Sequence, residues 1–416
     1  MIDAAAGKKV DVVVAGAGPT GLVTALALAS QGVSVTVAAP PISDTANRAD
    51  TRTTALFGGS IELLRHMNVW VDLEATAAPL VGLRLIDDTG GLLRAPETIF
   101  RASEVGLSCF GYNIENTALT LALANRVAAQ EAQIGWRSGI VEQVLPHKDF
   151  IEVICQSENR FLTAQLVVGA DGRQSVSRSA AGIAIERWSY PQSALAVRFA
   201  HTRPHDGVST EFHRRAGPFT TVPLRGRWSS LVWVDTAAEV ERIRHLADAP
   251  FAVALEDRLQ GLLGSVTEVG QRSVFPLSGL SVETKAKARV ALVGEAAHVI
   301  PPIGAQGLNL GFRDAAWIAD LVGVAKRQGD DIGGSRVLEA YDRARRTDIA
   351  SRTLAVDLLN RSLFMDLLPF DVLRGAGIAA LAALPWLRRS VMQEGLTPRA
   401  QDLPPLLRPA AHVPAS

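Results

Sequence analysis

Two cysteines, Cys109 and Cys155, in a chain of 416 residues leave no material for a disulfide framework, a C-x-x-C redox pair or a zinc site. So low a content fits a reducing compartment, and a cytoplasmic location is expected. Net charge is also lacking. The 42 Lys and Arg balance the 42 Asp and Glu, so no overall field draws nucleic acid or another polyanion, and nucleic acid is not an expected partner. No apolar run reaches the roughly 18 residues that a spanning helix requires. The nearest candidate, Gly375 to Leu387, is shorter, contains Pro385 and is flanked by Arg374, Arg388 and Arg389; it can lie on a membrane or pack on the protein's own core. The opening MIDAAAGKKVDVVVAG has none of the three parts of a signal peptide and is expected to be retained. No internal repeat is present.

What is there begins at the N-terminus. Val10 to Ala15 is a β-branched apolar run, GAGPTG follows at 16–21, an Ala/Leu-rich stretch runs to Ser30, and a second apolar run spans Val33 to Val37. The order is strand, tight turn, helix, strand. In such a unit Gly16 makes the turn, Gly18 lets the backbone approach a pyrophosphate, and Gly21 with Ala25 allows close helix packing. Pro19 and Thr20 open a helix whose free N–H groups and dipole favour an anion. The acid that normally ends the second strand and holds a ribose is absent: Ala38, Ala39 and Pro40 stand there.

Two further glycine turns follow buried runs. GADGRQSVSR at 169–178 places Asp171 and Gly172 after a strand, with Ser175 and Arg178 beyond; taken alone, an Asp-Gly turn is commonly just a turn. GEAAHVIPPIGAQGLNLG at 294–311 is more telling. Gly294 and Glu295 follow a strand, and Pro301, Pro302, Gly304, Gly307 and Gly311 crowd a helix start. That makes a stiff loop able to lay backbone N–H groups against a flat ring and a diphosphate. Between the glycine turns, alternation at Leu195, Val197 and Phe199 and paired runs over 219–234 predict an inserted antiparallel sheet. The charged stretch from Tyr341 predicts helix, and PPLLRPAAHVPAS at the C-terminus reads as a loose tail.

With these motifs, DTRTTAL at 50–56, GPFTTVPL at 217–224, SSLVW at 229–233, FPL at 275–277 and the pattern Tyr341, Arg345, Asp348, Asn360, the chain resembles the FAD-dependent aromatic hydroxylases that use a single nucleotide-binding domain. Among them it is most similar to the ubiquinone-biosynthesis hydroxylases. The resemblance covers nearly the whole chain. It implies an α/β fold: a discontinuous Rossmann-like FAD-binding domain (1–80, 105–185 and 275–340), an inserted antiparallel β-sheet substrate domain (81–104 and 186–274), and C-terminal helices with a tail (341–416). It further implies that Gly16, Gly18, Pro19, Thr20 and Gly21 meet the FAD diphosphate and that Arg52 reaches the diphosphate or ribose. Asp171 and Gly172 would belong to a motif shared with the nicotinamide donor, and Gly294 and Glu295 would approach the ribityl chain, Glu295 standing where the family usually has Asp. Pro302, Gly304, Gln306 and Gly307, with Leu308 and Asn309, would line the isoalloxazine. Asn116 would touch the flavin, although capping of a helix starting near Thr117 is the stronger reading from the residues.

The implied chemistry is ring hydroxylation with O2 and NAD(P)H, the cofactor carrying the difficult step. No second G-x-G-x-x-G provides a separate nicotinamide domain, and Trp228 and Trp233 are spaced wrongly for the W-x-W-x-I-P of a flavin halogenase. His298 is expected to orient or support rather than react, and His213 and Arg198 to be ordinary residues of the substrate sheet. The resemblance implies a polyprenylated phenol as substrate, other proteins of a ubiquinone-biosynthesis complex as partners, and peripheral contact with the inner face of a membrane. A soluble aromatic acid or natural product is the alternative substrate, and a catalytically inactive FAD-binding scaffold the alternative of another class.

Overall fold

The computed structural model describes residues 9–42, 50–90, 96–156, 161–301, 304–364, 389 and 403–409; the expectations for Pro302 and for 375–387 fall outside them. Its first sheet grows from the strand Lys9–Ala15, which pairs in parallel with Val35–Ala38 on one side and Leu162–Gly169 on the other. Val290–Leu292 adds in parallel beyond Leu162–Gly169, and Ile134–Arg137 beyond Val35–Ala38. Strands adjacent in space thus come from distant parts of the chain. The central strands are covered on both faces, which is why they read as continuous Val-rich runs rather than alternating ones. On one face lie the helices Pro19–Ser30 and Gln306–Gln328, contributing Leu22, Leu26, Phe312 and Ile318 to the largest core. On the other, Val10, Val13 and Ala15 pack against the antiparallel strands Val141–Pro146 and Ile151–Cys155.

The second sheet has nine strands. It is antiparallel except where Val208–His213 runs parallel to Gly82–Asp87. Alternation decides its two faces. Leu195, Val197 and Phe199, with Phe212, Phe219 and Trp233, pack against the helices Ala237–Arg244 and Asp248–Leu259. A small sheet of Thr53–Phe57, Ala78–Leu80 and Gly111–Glu115 covers the opposite face, for Thr53 Oγ1 and Asn113 Nδ2 both donate to Ser230 Oγ, at 2.8 and 3.3 Å.

Three expectations need correction. The boundary at 275 runs through the strand Ser273–Val282, which pairs with Ile185–His201 in the second sheet because its side chains alternate with that strand's. The C-terminal helix starts at Ser335, ahead of 341, and extends to Phe364. The C-terminal stretch is not loose throughout: Leu406 and Leu407, in a short 3-10 turn after Pro404, join the largest core against the helix Gly58–His66, and His66 Nε2 lies 3.0 Å from the Arg408 carbonyl. Two buried leucines outweigh the prolines around them.

Candidate active site

The site assembles where the first sheet's strands end. Gly16 leaves the strand Lys9–Ala15 at φ +108°, and a Cβ there would stand 2.4 Å from the Ala170 carbonyl oxygen. A Cβ on Gly21 would stand 2.2 Å from the Gly16 oxygen. These two positions admit only glycine because backbone touches backbone. Gly18 differs: its side faces open space, and as N-cap it offers no side chain to the helix Pro19–Ser30, whose first N–H groups stay free for an anion. Thr20 packs against both Gly294 and Gly311, so the first and third glycine motifs are brought into contact.

The second motif joins them through Arg178. Its guanidinium, buried, donates to the carbonyls of Ala296 and Arg173, both at 2.8 Å, and burial lowers its pKa. Ser175 caps the short helix that carries it, accepting from Arg178 N at 2.9 Å. Asp171 Oδ2 accepts from Ser177 N at 2.9 Å, while its buried Oδ1 has no hydrogen-bond partner among the described residues. A buried acceptor left without a partner calls for explanation.

Asp171 borders a cavity of about 640 Å³ that also has Gly16, Ala39, Pro41, Asp50 and Ile140 in its walls. An apolar wall facing a glycine turn, with a free helix N-terminus and an unsatisfied carboxylate oxygen, fits the adenosine and diphosphate of FAD. Asp50 holds Arg52 by a two-point bond, Nε to Oδ1 at 2.8 Å and Nη2 to Oδ2 at 2.7 Å, which raises the Arg52 pKa. Arg52 lies over the Phe275 ring at 5.1 Å. Asn116 does not cap its helix: it is the first residue of Asn116–Ala128, and its amide donates instead to Asp50 Oδ2 at 3.4 Å.

The segment that begins at Gly304 continues into the helix Gln306–Gln328. Gly304 and Ala305 both have positive φ, +65° and +52°, which turns the chain sharply enough to leave the helix N-terminus uncapped. Gly307 faces open space. Gln306 donates to the Gly304 carbonyl at 3.1 Å and accepts from Arg352 Nη1 at 2.9 Å. Leu308 packs on the main core. Asn309 spends its whole amide inside the protein, donating to Ala55 O and Ala305 O and accepting from Phe57 N and Ser60 Oγ, so it shapes the loop from behind. Glu295 is half exposed and pairs with Arg173 at 3.1 Å.

Beneath this loop lies a buried ionic chain that sequence reasoning missed. Asp314 Oδ2 accepts from Gly294 N at 3.0 Å and lies 2.7 Å from His298 Nε2; Oδ1 accepts from Arg345 Nε at 2.7 Å. His298 is thus buried and held in place, as its position after a strand suggested. Arg345, Arg313 and Arg352 all converge on Asp348. Burial would raise both carboxyls, but His298 and Arg345 hold Asp314, and the guanidiniums hold Asp348, below the ordinary range. Arg313 is pulled down to about 10, mainly by burial. A charged Arg-Asp pair interrupting an otherwise apolar face (Phe312, Ala315, Ala316) was the signal available. On the second sheet, His213 is buried 2.8 Å from Glu211, and Arg198 pairs with Glu115.

The geometry is that of a Rossmann-type nucleotide cradle beside a second, mostly antiparallel sheet. The chain belongs to the FAD binding domain family, whose model matches residues 9–355. It is 32% identical over 397 residues to the ubiquinone hydroxylase UbiL of Rhodospirillum rubrum, covering 95% of this chain and 91% of that protein. It is 29% identical to the 3-demethoxyubiquinol 3-hydroxylase of Escherichia coli, covering 93% and 98%. The fold matches p-nitrophenol 4-monooxygenase PnpA of Pseudomonas putida with a TM-score of 0.75 at 19% identity, over 94% of this chain and 99% of that one. The chain is an FAD-dependent aromatic-ring monooxygenase, with NAD(P)H as the reductant usual for that class.

Proposed function

We propose that the chain hydroxylates the ring of a polyprenylated phenol on the route to ubiquinone. The carrying observation is the face that the inserted sheet turns toward Thr53–Phe57: register places Ala194, Ala196, Val222 and Val232 on it, alternating with the residues packed against the two outer helices. The guanidinium on that face, Arg198, is already matched by Glu115 at 2.5 Å. An aromatic acid would call for a cation to receive its carboxylate. The small apolar residues on this face share it with Thr220, Ser230 and Glu211, but its cation is neutralised, which suits a ring without a carboxylate, and the relatives named for ubiquinone hydroxylation support the same reading.

FAD, when bound, supplies electron transfer from the nicotinamide and the activation of oxygen. The protein supplies position. Free N–H groups at the start of Pro19–Ser30 hold the diphosphate, Asp171 receives a hydroxyl of the cofactor, and the backbone from Gly304 to Gly307 lies against the ring system. Gln306, fixed between Gly304 and Arg352, keeps that backbone in one conformation. The Thr53–Ser230 and Asn113–Ser230 hydrogen bonds clamp the substrate sheet onto the strands that lead into the cofactor site and help exclude water.

The tail of such a substrate resides in a bilayer, so action at the inner membrane face, alone or among other biosynthetic proteins, belongs to the proposal; among the described residues no helix is long and apolar enough to cross a membrane. The test is mass spectrometry of lipids from the host lacking this chain. A prenylphenol short of one hydroxyl is expected to accumulate. An unchanged quinone profile refutes the proposal and turns attention to soluble aromatic substrates.

A further inference from the structure

We propose that Asp50 takes the place of the missing strand-end acid and receives the ribose hydroxyls of the adenosine in FAD; the inference rests on FAD as the resident cofactor. In a Rossmann-type unit a carboxylate at the end of the second strand normally accepts those hydroxyls. Here Val35–Ala38 ends in Ala38 and Ala39, and their backbone offers no substitute. The Ala38 carbonyl accepts from Gly16 N at 2.9 Å, and the Ala39 carbonyl accepts from Gly139 N at 3.3 Å and Trp136 Nε1 at 3.1 Å.

The cavity beside these alanines nevertheless has two carboxylates in its walls, Asp50 and Asp171. Asp171 belongs to the second glycine motif, tied to the start of its helix through Ser177 N. Asp50 approaches from the segment that leads into Thr53–Phe57 and shares the cavity with Ala38, Ala39 and Thr120. Its side chain is 22% exposed, enough to meet a ligand. Arg52 and Asn116 keep it ionised, outweighing the upward push of burial. Three of its contacts are short, but the one from Asn116 is 3.4 Å, so Oδ2 retains capacity for a better donor.

Asn116 backs Asp50 from outside the cavity wall. Its Nδ2 faces Asp50, which fixes the amide's orientation, and its Oδ1 is buried with no hydrogen-bond partner among the described residues. The Asp50 carboxylate, with two acceptor oxygens at the cavity wall, is matched to a vicinal diol, which brings two donors. Ribose hydroxyls are such a diol.

The test is a binding cycle on the full chain stripped of flavin, read by quenching of flavin fluorescence. The ligands are FAD and its 2′,3′-dideoxyadenosine analogue. The native chain should bind the analogue about tenfold or more weakly, the loss expected for hydrogen bonds to a charged group. Asp50→Asn should bind FAD as weakly as the native chain binds the analogue, and should no longer distinguish the two. An equal penalty for the analogue in both proteins overturns the assignment and leaves Asp50 acting only through Arg52, as does undiminished FAD binding by Asp50→Asn. Should that variant fail to fold, Asp50→Glu, which keeps the charge that pairs with Arg52, decides: a changed penalty for the analogue supports the assignment, and an unchanged one overturns it. A native chain that binds neither ligand contradicts the FAD reading itself, a separate result.

Discussion

Arg352, on the C-terminal helix, donates a 2.9 Å hydrogen bond to Oε1 of Gln306, the first residue of the helix Gln306–Gln328. Arg352 is itself held by Asp348, which also receives Arg345 and Arg313. A helix far along the chain therefore holds the residue that opens the helix Gln306–Gln328. Arg352→Met should lower kcat/KM about tenfold, the scale of one lost hydrogen bond in a site that depends on position. Flavin content should be unchanged, but the ratio of hydroxylated product to NAD(P)H consumed should fall. A parallel loss of flavin would show that the contact serves stability instead.

Asp314 lies at 0% exposure between His298 and Arg345, itself 1% exposed. Removing the carboxylate's charge leaves a buried guanidinium short of its counter-charge. Asp314→Asn should cost about 3–5 kcal/mol, seen as an earlier urea midpoint.

The same network fixes a pH dependence. Asp348 has a folded pKa below its unfolded one, so its stabilising contribution is complete above the ordinary Asp range of about 3.9 and is lost as pH falls through the lower, folded value. Urea midpoints of the native chain and Asp348→Asn should be furthest apart above that range and converge in acid. A gap that stays constant with pH would contradict the ion-pair account.

Gly21→Ala would set a Cβ 2.2 Å from the Gly16 oxygen, a backbone atom that cannot rotate away. The glycine turn must shift, and its N–H groups with it. The purified variant should be pale, with FAD affinity down at least about tenfold through loss of charge-assisted hydrogen bonds; titration with FAD measures it.

Leu407 is 2% exposed in the largest core, although it lies near the chain's end. Leu407→Ala should destabilise by about 2–5 kcal/mol, whereas a loose tail would give no change in thermal unfolding.

The reach of sequence reasoning followed how local each feature is. Gly16 and Gly21 announced themselves because a tight turn and a close helix crossing admit no other residue within six positions. The inserted sheet showed in the alternation of Leu195, Val197 and Phe199, since a half-buried strand writes its two faces into adjacent residues. Asn116 was misread as a cap because its sequence position allows one; only the fold puts Asp50 within its reach, 66 residues away. The strand Ser273–Val282 was divided because the motif at 275–277 says nothing about which sheet receives it.

By itself the sequence determined the dinucleotide cradle and the two-sheet architecture. Each is set by short-range rules: backbone clearance at glycines and periodicity of apolar side chains. Tertiary structure alone decided that Asp314 joins Gly294 to Arg345, that Arg352 governs Gln306, that Leu407 closes the core, and that Asp50, backed by Asn116, stands beside the strand end that lacks an acid. Hydrogen bonds and ion pairs act over about 3 Å, and no spacing along the chain shows which distant residues folding will bring that close.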